Sequence, residues 1–300
     1  MTRVAAIDCG TNSVRLLVSD DGVDVVRRMG IVRLGEGVDR TGRISGAALE
    51  RTRSALVDYA GVIADRGAER VRMVATSASR DAANAGDFQT MVRDVLGVDP
   101  EVITGEEEAH LSFTGAVRGL PAGLESPYLV VDIGGGSTEF VLGTGDAEAA
   151  ASVDIGCVRM TERHLRDDPP TAAQLTAAEA DVGTAVARAL DTVPGRRAAT
   201  LVGLAGSVTT VAGIALGLPA YDPDAIHHAR IPYAEVARVT GELLAMTHDE
   251  RARIGLMHPG RVDVIGGGAL ILRIVMEQVG ADSVVASEHD ILDGIAYSLT

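Results

Sequence analysis

Tryptophan is absent from the 300 residues, aromatic residues make up 3% of them, and there are only two cysteines. So few aromatic rings exclude a nucleic-acid surface that is built on base stacking. Cys9 and Cys157 cannot form a disulfide framework, and neither has a partner in a CxxC motif. The seven histidines lack the spacing of metal ligands, and no G-K-[ST] loop occurs. These absences argue against a zinc module and a Walker-type nucleotide site.

Positive charge is also scarce, because 27 Lys and Arg residues face 42 Asp and Glu residues and give a net charge of −15. Electrostatic binding to a nucleic-acid polymer or to an anionic membrane is therefore not expected. No apolar run reaches the roughly 18 residues of a membrane span, and no signal sequence opens the chain. We expect a cytoplasmic protein with reduced thiols. An anionic substrate would need local arginines and a divalent cation, since charges are screened over about 8 Å.

Glycine, in contrast, is abundant, and the most informative stretch is LVVDIGGGSTEFVL at residues 129–142. A short apolar run that ends at Asp132 is typical of a buried strand, and the second apolar run predicts a returning strand. Glycines between the two runs allow a tight turn whose successive N–H groups form an anion-binding concavity. The residues that we expect to bind phosphate are Gly134, Gly135, Gly136 and Ser137.

The same pattern occurs about 124 positions earlier, where residues 4–18 read VAAIDCGTNSVRLLV. Asp8 falls on Asp132 and Ser13 falls on Ser137, which predicts a duplicated domain with a ligand between the halves. The phosphate-binding candidates of this first loop are Gly10, Thr11, Asn12 and Ser13. A third turn, with Gly206 and Ser207, follows a predicted strand at 199–203, and a simple helix cap explains it equally well.

Two predicted helix starts contain further candidates. Arg80 lies in the first turn of a helix that directly follows a strand at 71–75, which is a natural anion site, although a solvated arginine is the alternative. In TGEEEAHLSFTGAV at 104–117, Thr104 and Glu107 match a capping box, and glutamates in a first turn are favourable to the helix dipole. Glu108 differs because it shares its side of the helix with the small residues Ser112 and Gly115.

Four motifs, AIDCGTNSVRLLV, ATSASRDAAN, TGEEEAHLSF and DIGGGSTEFVL, occur in this order. Together they resemble the exopolyphosphatase/guanosine pentaphosphate phosphatase (Ppx/GppA) family of the actin/sugar-kinase/Hsp70 superfamily, over nearly all of the chain. The resemblance implies an α/β fold with two duplicated actin-like (ribonuclease H-like) domains. Each would be a mixed central sheet flanked by helices, with an interdomain cleft. We place the domains at 1–119 and 120–300, with the last helix, about 290–300, able to pack back on the first.

The resemblance also implies a function, namely release of orthophosphate from the end of polyphosphate. Glu108 matches the family's general base and Arg80 its phosphate-binding arginine. Mg²⁺, with Mn²⁺ as an alternative, would be held by Asp132, Glu139 and Asp8. The expected substrate is polyphosphate or guanosine pentaphosphate, and a homodimer and a link to the stringent response stay open.

Other functions remain open at this point: a guanosine pentaphosphate 5′-phosphatase, a small-molecule kinase of the same superfamily, and a non-catalytic nucleotide-sensing module. Longer family members append a helical HD-type domain that is missing here, so we favour shorter polyphosphates. His110 stands where the family usually has arginine, and we expect it to be an exposed helix residue.

Overall fold

The computed structural model describes residues 3–300, which form two compact units. The first unit extends to Gly115 and also takes in Ile291–Thr300, whereas the second unit is Ala116–Asp290. Each unit has its own sheet and its own buried apolar residues.

The first unit holds a five-stranded sheet in the order β3-β2-β1-β4-β5. Strands β1, β2 and β3 form an antiparallel meander, and β4 and β5 continue parallel to β1. Its strands are β1 (Arg3–Cys9), β2 (Ser13–Asp20), β3 (Val23–Ile31), β4 (Arg70–Ala75) and β5 (Glu101–Val102). Its helices are α1 (Val38–Thr41), α2 (Gly46–Arg66), α3 (Ser77–Asp81), α4 (Ala85–Leu96), α5 (Gly105–Val117) and, from the chain end, α13 (Ile291–Tyr297).

Strand β1 is buried on both faces, which explains why its sequence is a nearly continuous apolar run. Because side chains alternate along a strand, Ala5 and Ile7 join one apolar cluster and Ala6 joins another. The second cluster contains Ile291 and Ile295, so α13 covers that face of the sheet. The glycine loop that follows β1 is therefore anchored to a strand with little freedom to move.

The second unit holds a six-stranded sheet in the order β10-β11-β9-β6-β7-β8. Its strands are β6 (Tyr128–Ile133), β7 (Thr138–Gly143), β8 (Ala147–Val153), β9 (Thr200–Leu204), β10 (Arg230–Pro232) and β11 (Ser283–Ala286). Its helices are α6 (Cys157–His164), α7 (Ala172–Thr192), α8 (Ala205–Ala215), α9 (Pro223–Ile226), α10 (Tyr233–Ala245), α11 (His248–Ala252) and α12 (Ile265–Val279), with 3-10 turns at Gly195–Arg197 and Pro259–Arg261.

The two sheets repeat one connectivity. An antiparallel meander, β6-β7-β8, is followed by β9 parallel to β6 and by β11 parallel to β9, as in the first unit. The two predicted glycine-loop hairpins are present as β1–β2 and β6–β7. The predicted duplication is therefore confirmed at the level of strand order.

Two helix starts lie next to residues discussed above. The last helix begins at Ile291, close to the predicted start at about 290. Helix α3 begins at Ser77 and is preceded by Thr76, and Ser77 and Ser79 are buried inside it. Among residues 3–300, no helix is both long and apolar enough to cross a membrane.

Candidate functional site

The two glycine loops close in the same way. The Gly10 N–H donates to the Ser13 carbonyl at 2.9 Å, and the Gly134 N–H donates to the Ser137 carbonyl at 3.1 Å. These two N–H groups are used to close the turns, so the role that the structure shows for Gly10 and Gly134 is to shape the loops. Direct phosphate contact by these two residues stays a prediction.

In the second loop, three consecutive carbonyls face the start of α6. The acceptors are the Gly134, Gly135 and Gly136 carbonyls, and the donors at 2.7–2.9 Å are the Cys157 and Val158 N–H groups and Arg159 Nε. In a planar trans peptide the N–H points opposite to the preceding carbonyl. The N–H groups of residues 135–137 therefore point away from α6, in an arrangement that suits an anion.

The first loop has an equivalent support. The Thr11 carbonyl accepts from the Gly35 N–H at 2.8 Å, and the Asn12 carbonyl accepts from the Val32 and Arg33 N–H groups at 3.0 and 2.8 Å. By the same peptide geometry, the N–H groups of residues 12 and 13 point away from this segment. The side chain of Thr11 is buried and its Oγ1 lies 2.9 Å from Ser77 Oγ at the start of α3.

Each loop is backed by a glycine that the sequence analysis did not single out. A Cβ on Gly35 would lie 2.3 Å from Thr11 Cγ2, and a Cβ on Gly156 would lie 2.4 Å from the Gly135 carbonyl carbon. Neither position has room for a side chain, so both glycines are required by close approach. Both glycines come shortly after the third strand of their meander, and this shared position in the two repeats could have identified them from the sequence.

Carboxylates stand beside each loop, with different partners. Asp132 and Glu139 are directly opposite across β6 and β7 and are 7% and 1% exposed, and Ser152 Oγ donates to Glu139 Oε1 at 2.8 Å. Directly opposite residues have their Cβ atoms about 4.5–5.5 Å apart on one face of the sheet. Asp8 instead stands opposite Arg15, whose Nε and Nη2 donate to Asp8 Oδ2 at 2.9 and 2.6 Å.

These donors suit one kind of metal better than others. Among residues 3–300, no group of three or more His, Cys, Asp or Glu side chains is placed to hold a metal ion. Mg²⁺ in phosphate chemistry takes one or two carboxylates, and waters and phosphate oxygens complete its shell. The Asp132–Glu139 pair fits that requirement, whereas Asp8 already gives one oxygen to Arg15.

Glu108 and Arg80 are brought together in the first unit. Arg80 Nη1 donates to Glu108 Oε2 at 3.2 Å and to the Ile103 carbonyl at 3.0 Å, which fixes the guanidinium between α3 and α5. Glu108 is 8% exposed, while Glu106 and Glu107 in the same turn are exposed. Burial thus separates Glu108 from its two neighbours, and its role as general base stays a prediction.

The helix start around Glu108 departs from the predicted capping box in one respect. The Glu107 N–H donates to Thr104 Oγ1 at 3.1 Å, as expected for the cap. The carboxylate of Glu107 instead accepts from Arg72 Nη2 at 3.1 Å. His110 is exposed, as expected, and its Nδ1 lies 2.7 Å from the Glu106 carbonyl.

The third turn, at the start of α8, is occupied by an arginine that sequence reasoning missed. A Cβ on Gly206 would lie 2.2 Å from Arg261 Nη2, so this glycine makes room for a guanidinium. Arg261 Nη1 also donates to Thr210 Oγ1 at 3.2 Å. Ser207 is buried, and its Oγ faces Gly268, where a Cβ would lie 2.1 Å away. Phosphate binding by Gly206 and Ser207 stays a prediction, and Arg261 adds a cation beside them.

Neither cysteine is suited to nucleophilic chemistry. Burial raises the pKa of the Cys9 thiol, and the charge of Asp8 raises it further. Burial also raises the pKa of the Cys157 thiol, although a hydrogen bond with Ser207 and the charge of Arg261 oppose the shift. A thiol nucleophile must ionise. With thiol chemistry disfavoured, the chemistry that the site supports is anion binding by the loops and Arg80, and proton transfer to the Glu108 carboxylate.

Comparison with known proteins places this geometry in one family. Residues 18–300 match the model of the Ppx/GppA phosphatase family. This chain belongs to the Ppx/GppA phosphatase family. The prediction from the four motifs is thereby confirmed.

Named relatives differ in how much of their length the Ppx/GppA chain spans. It is 52% identical to Exopolyphosphatase 2 of Mycobacterium tuberculosis, and the match covers 100% of this chain and 99% of the relative. It is 31% identical to a guanosine-5′-triphosphate,3′-diphosphate pyrophosphatase of Photobacterium profundum, and there the match covers 98% of this chain but 59% of the relative.

Solved structures confirm the predicted fold class. An exopolyphosphatase-like protein matches with a TM-score of 0.98 and 44% identity, covering 99% of this chain and 98% of the other. The Aquifex aeolicus PPX-GPPA enzyme matches with a TM-score of 0.82 and 32% identity, covering 99% of each chain. Two mixed sheets flanked by helices are therefore the family fold as well as the fold of this chain.

Proposed function

We propose that this Ppx/GppA chain is an exopolyphosphatase that releases orthophosphate from the end of inorganic polyphosphate. The observation that carries the proposal is the 52% identity to Exopolyphosphatase 2 over the full length of both chains. The relatives named for guanosine pentaphosphate hydrolysis are about 31% identical, and this chain spans 59% of them. Hydrolysis of the pentaphosphate is therefore the second candidate.

The glycine loops are proposed to bind the phosphate chain. Support comes from the carbonyls of residues 134–136, which hydrogen-bond to the start of α6, so that the N–H groups of residues 135–137 point the other way. The N–H groups of residues 12 and 13 are arranged in the same manner. Oriented backbone donors neutralise anionic oxygen without a charged side chain, which an acidic protein needs for a polyanionic substrate.

Glu108 is proposed to be the general base and Arg80 the ligand of the terminal phosphoryl group. A water molecule attacks the terminal phosphorus, Glu108 takes one proton from it, and the bridging P–O bond breaks. Orthophosphate and a chain shorter by one unit are the products. The 3.2 Å contact from Arg80 and the burial of Glu108 support the assignment, because they hold the carboxylate in one orientation.

A divalent cation is proposed at Asp132 and Glu139, with Asp8 as the third predicted ligand. Two buried carboxylates directly opposite each other repel, and a cation removes that repulsion. When bound, Mg²⁺ or Mn²⁺ would neutralise charge on the phosphate oxygens. Because Asp8 already accepts two hydrogen bonds from Arg15, we expect it to contribute less than Asp132.

The function is tested by measuring orthophosphate release from polyphosphates of several defined lengths and from guanosine pentaphosphate. The assay is run with Mg²⁺, with Mn²⁺ and with EDTA. We expect release from polyphosphate that depends on the metal and is faster than release from the pentaphosphate.

Two results would overturn the proposal in different directions. Formation of ADP from ATP with acceptor sugars, without phosphate release from polyphosphate, would indicate a kinase of the superfamily. Saturable binding of guanosine pentaphosphate without turnover of either substrate would indicate a nucleotide-sensing module.

A further inference from the structure

A cavity lined by two arginines lies in the second unit, with a volume of about 270 Å³. Its wall includes Arg196 of the Gly195–Arg197 turn, Arg230 of β10, and residues 198–200 and 280–283. Asp282 is the one acidic residue among the lining residues that the structure describes. A cavity with two guanidinium groups is unexpected on a chain with a net charge of −15.

Both arginines are oriented by one hydrogen bond and keep further donors. Arg196 Nε donates to the Gln278 carbonyl at 2.9 Å, and Arg230 Nη1 donates to Ser283 Oγ at 3.1 Å. A guanidinium carries five N–H donors in a rigid fork that matches a phosphoryl group. Each arginine is thus positioned by the protein and can still bind an anion through its other donors.

The cavity is at the opposite end of the sheet from the glycine loop of this unit. It touches Leu129 near the start of β6, whereas the loop begins at Gly134, after the end of β6. Five residues of strand span roughly 16 Å. It likewise touches Thr200 at the start of β9, whereas Gly206 follows the end of β9. Occupation of the cavity is therefore separate from occupation of that loop.

Size and position restrict the ligand. The volume of about 270 Å³ lies just below the range of about 300–1,000 Å³ for pockets that hold drug-sized molecules, so a small anion suits it. Arg230 is on β10, and Arg196 is in the turn before β9, which lies two places along in the sheet order, so the two guanidinium groups come from separate segments of the cavity wall. Two linked phosphoryl groups provide one partner for each arginine.

We propose that this cavity binds a small anion with two linked phosphoryl groups, of the size of pyrophosphate, at a site distinct from the glycine loops. Charge-assisted hydrogen bonds from two arginines supply the affinity. The proposal does not depend on polyphosphate hydrolysis, because the cavity shares no residue with the loops or with Glu108.

The test is calorimetric titration of the full chain with methylenediphosphonate, which has two phosphoryl groups and resists hydrolysis. EDTA is present, so that metal-dependent binding at the loops is suppressed. The chain is compared with the double variant Arg196→Gln, Arg230→Gln. The matched control is Arg188→Gln, Arg253→Gln, which removes two exposed arginines of the same unit that lie outside the cavity. An Arg80→Gln variant reports binding at the candidate active site, and thermal unfolding verifies that each variant folds.

We expect the cavity variant to weaken diphosphonate binding at least tenfold, while the matched control and Arg80→Gln stay within about twofold of the unchanged chain. Orthophosphate should bind at least tenfold more weakly than diphosphonate. Phosphate release by the cavity variant should stay within about twofold. Equal losses in the cavity variant and the matched control, unchanged binding in the cavity variant, or loss of all binding in Arg80→Gln would each overturn the proposal.

Discussion

The hairpins β1–β2 and β6–β7 have the same turn and the same register, and each is supported by a glycine, Gly35 or Gly156. They differ in charge at one matched position. In the first hairpin Asp8 stands opposite Arg15, and the two form a salt bridge. In the second hairpin Asp132 stands opposite Glu139, and both carboxylates are buried. Arg15 and Glu139 are 124 positions apart, the same offset that relates the two aspartates.

The two hairpins share their backbone geometry but not the charge of their side chains. Backbone geometry is shared, because closing each turn and orienting its N–H groups requires the same conformation in both units. Side-chain charge is not shared. A neutral pair leaves the first loop able to approach an anion directly, whereas two opposed carboxylates favour a cation between the second loop and its ligand. With Glu108 in the first unit, we propose proton transfer in that unit and metal binding in the second.

The largest effect is expected from Glu108→Gln, which sharpens the comparison by removing the proposed proton acceptor of the first unit. Glutamine keeps the size and can still accept from Arg80, but it cannot take a proton from water. We expect kcat for polyphosphate to fall by about 10²–10⁴-fold. The Mg²⁺ concentration for half-maximal activity should not change, since the metal is assigned to the second unit.

Glu106→Gln is the matched control, because Glu106 lies in the same helical turn and is exposed. Its kcat should stay within about twofold. If Glu108→Gln retains full turnover, or if the control loses as much, Glu108 is not the base.

The next effect is expected from Asp132→Asn, which removes one charge from the opposed pair. The half-saturating Mg²⁺ concentration should rise by about tenfold or more, with partial recovery of activity at high Mg²⁺. Asp8→Asn should shift it by less than about threefold, because Asp8 is engaged with Arg15. The measurement is an Mg²⁺ titration of phosphate release.

Asp154→Asn provides the control, since Asp154 is exposed in the same unit just after β8. Equal shifts for Asp8→Asn and Asp132→Asn would break the comparison, because the two hairpins would then contribute alike to the metal site.

The backbone of these hairpins could be predicted from sequence because each signal is local. Asp, Gly and Ser recur at one offset between apolar runs, and a short apolar run closed by glycine is typical of a buried strand. The Asp8–Arg15 pair was within reach as well, because a closed turn at residues 10–13 fixes the register that places them opposite each other.

Contacts between distant residues could not be predicted in this way. Gly206 and Arg261 are 55 positions apart, and no local periodicity reports that a guanidinium fills the space beside that glycine. Position 156 must be glycine because the backbone of Gly135, in a preceding loop, leaves no room for a side chain. A pattern of apolar residues does not show this contact. Tertiary packing decides such positions.

Substitutions in the two hairpins should change the free energy of unfolding in opposite directions when metal is absent. Arg15→Gln leaves the buried Asp8 carboxylate without its guanidinium, and we expect a loss of about 1–3 kcal/mol. Glu139→Gln instead relieves repulsion with Asp132 and should raise stability by about 0.2–1 kcal/mol. Urea unfolding in EDTA measures both, and a fall of similar size in both variants would contradict the charge difference.

The smallest effect is expected at the two cysteines, one beside each loop. Burial raises the pKa of both thiols, but Ser207 and Arg261 oppose the shift at Cys157, whereas Asp8 adds to it at Cys9. At pH 8 the thiol of Cys157, in a Cys9→Ala variant, should react with a chromogenic disulfide about 3–10-fold faster than that of Cys9 in a Cys157→Ala variant. Both should react far more slowly than in urea. Faster reaction at Cys9 would mean that the charges around the two loops do not differ in the way that their side chains indicate.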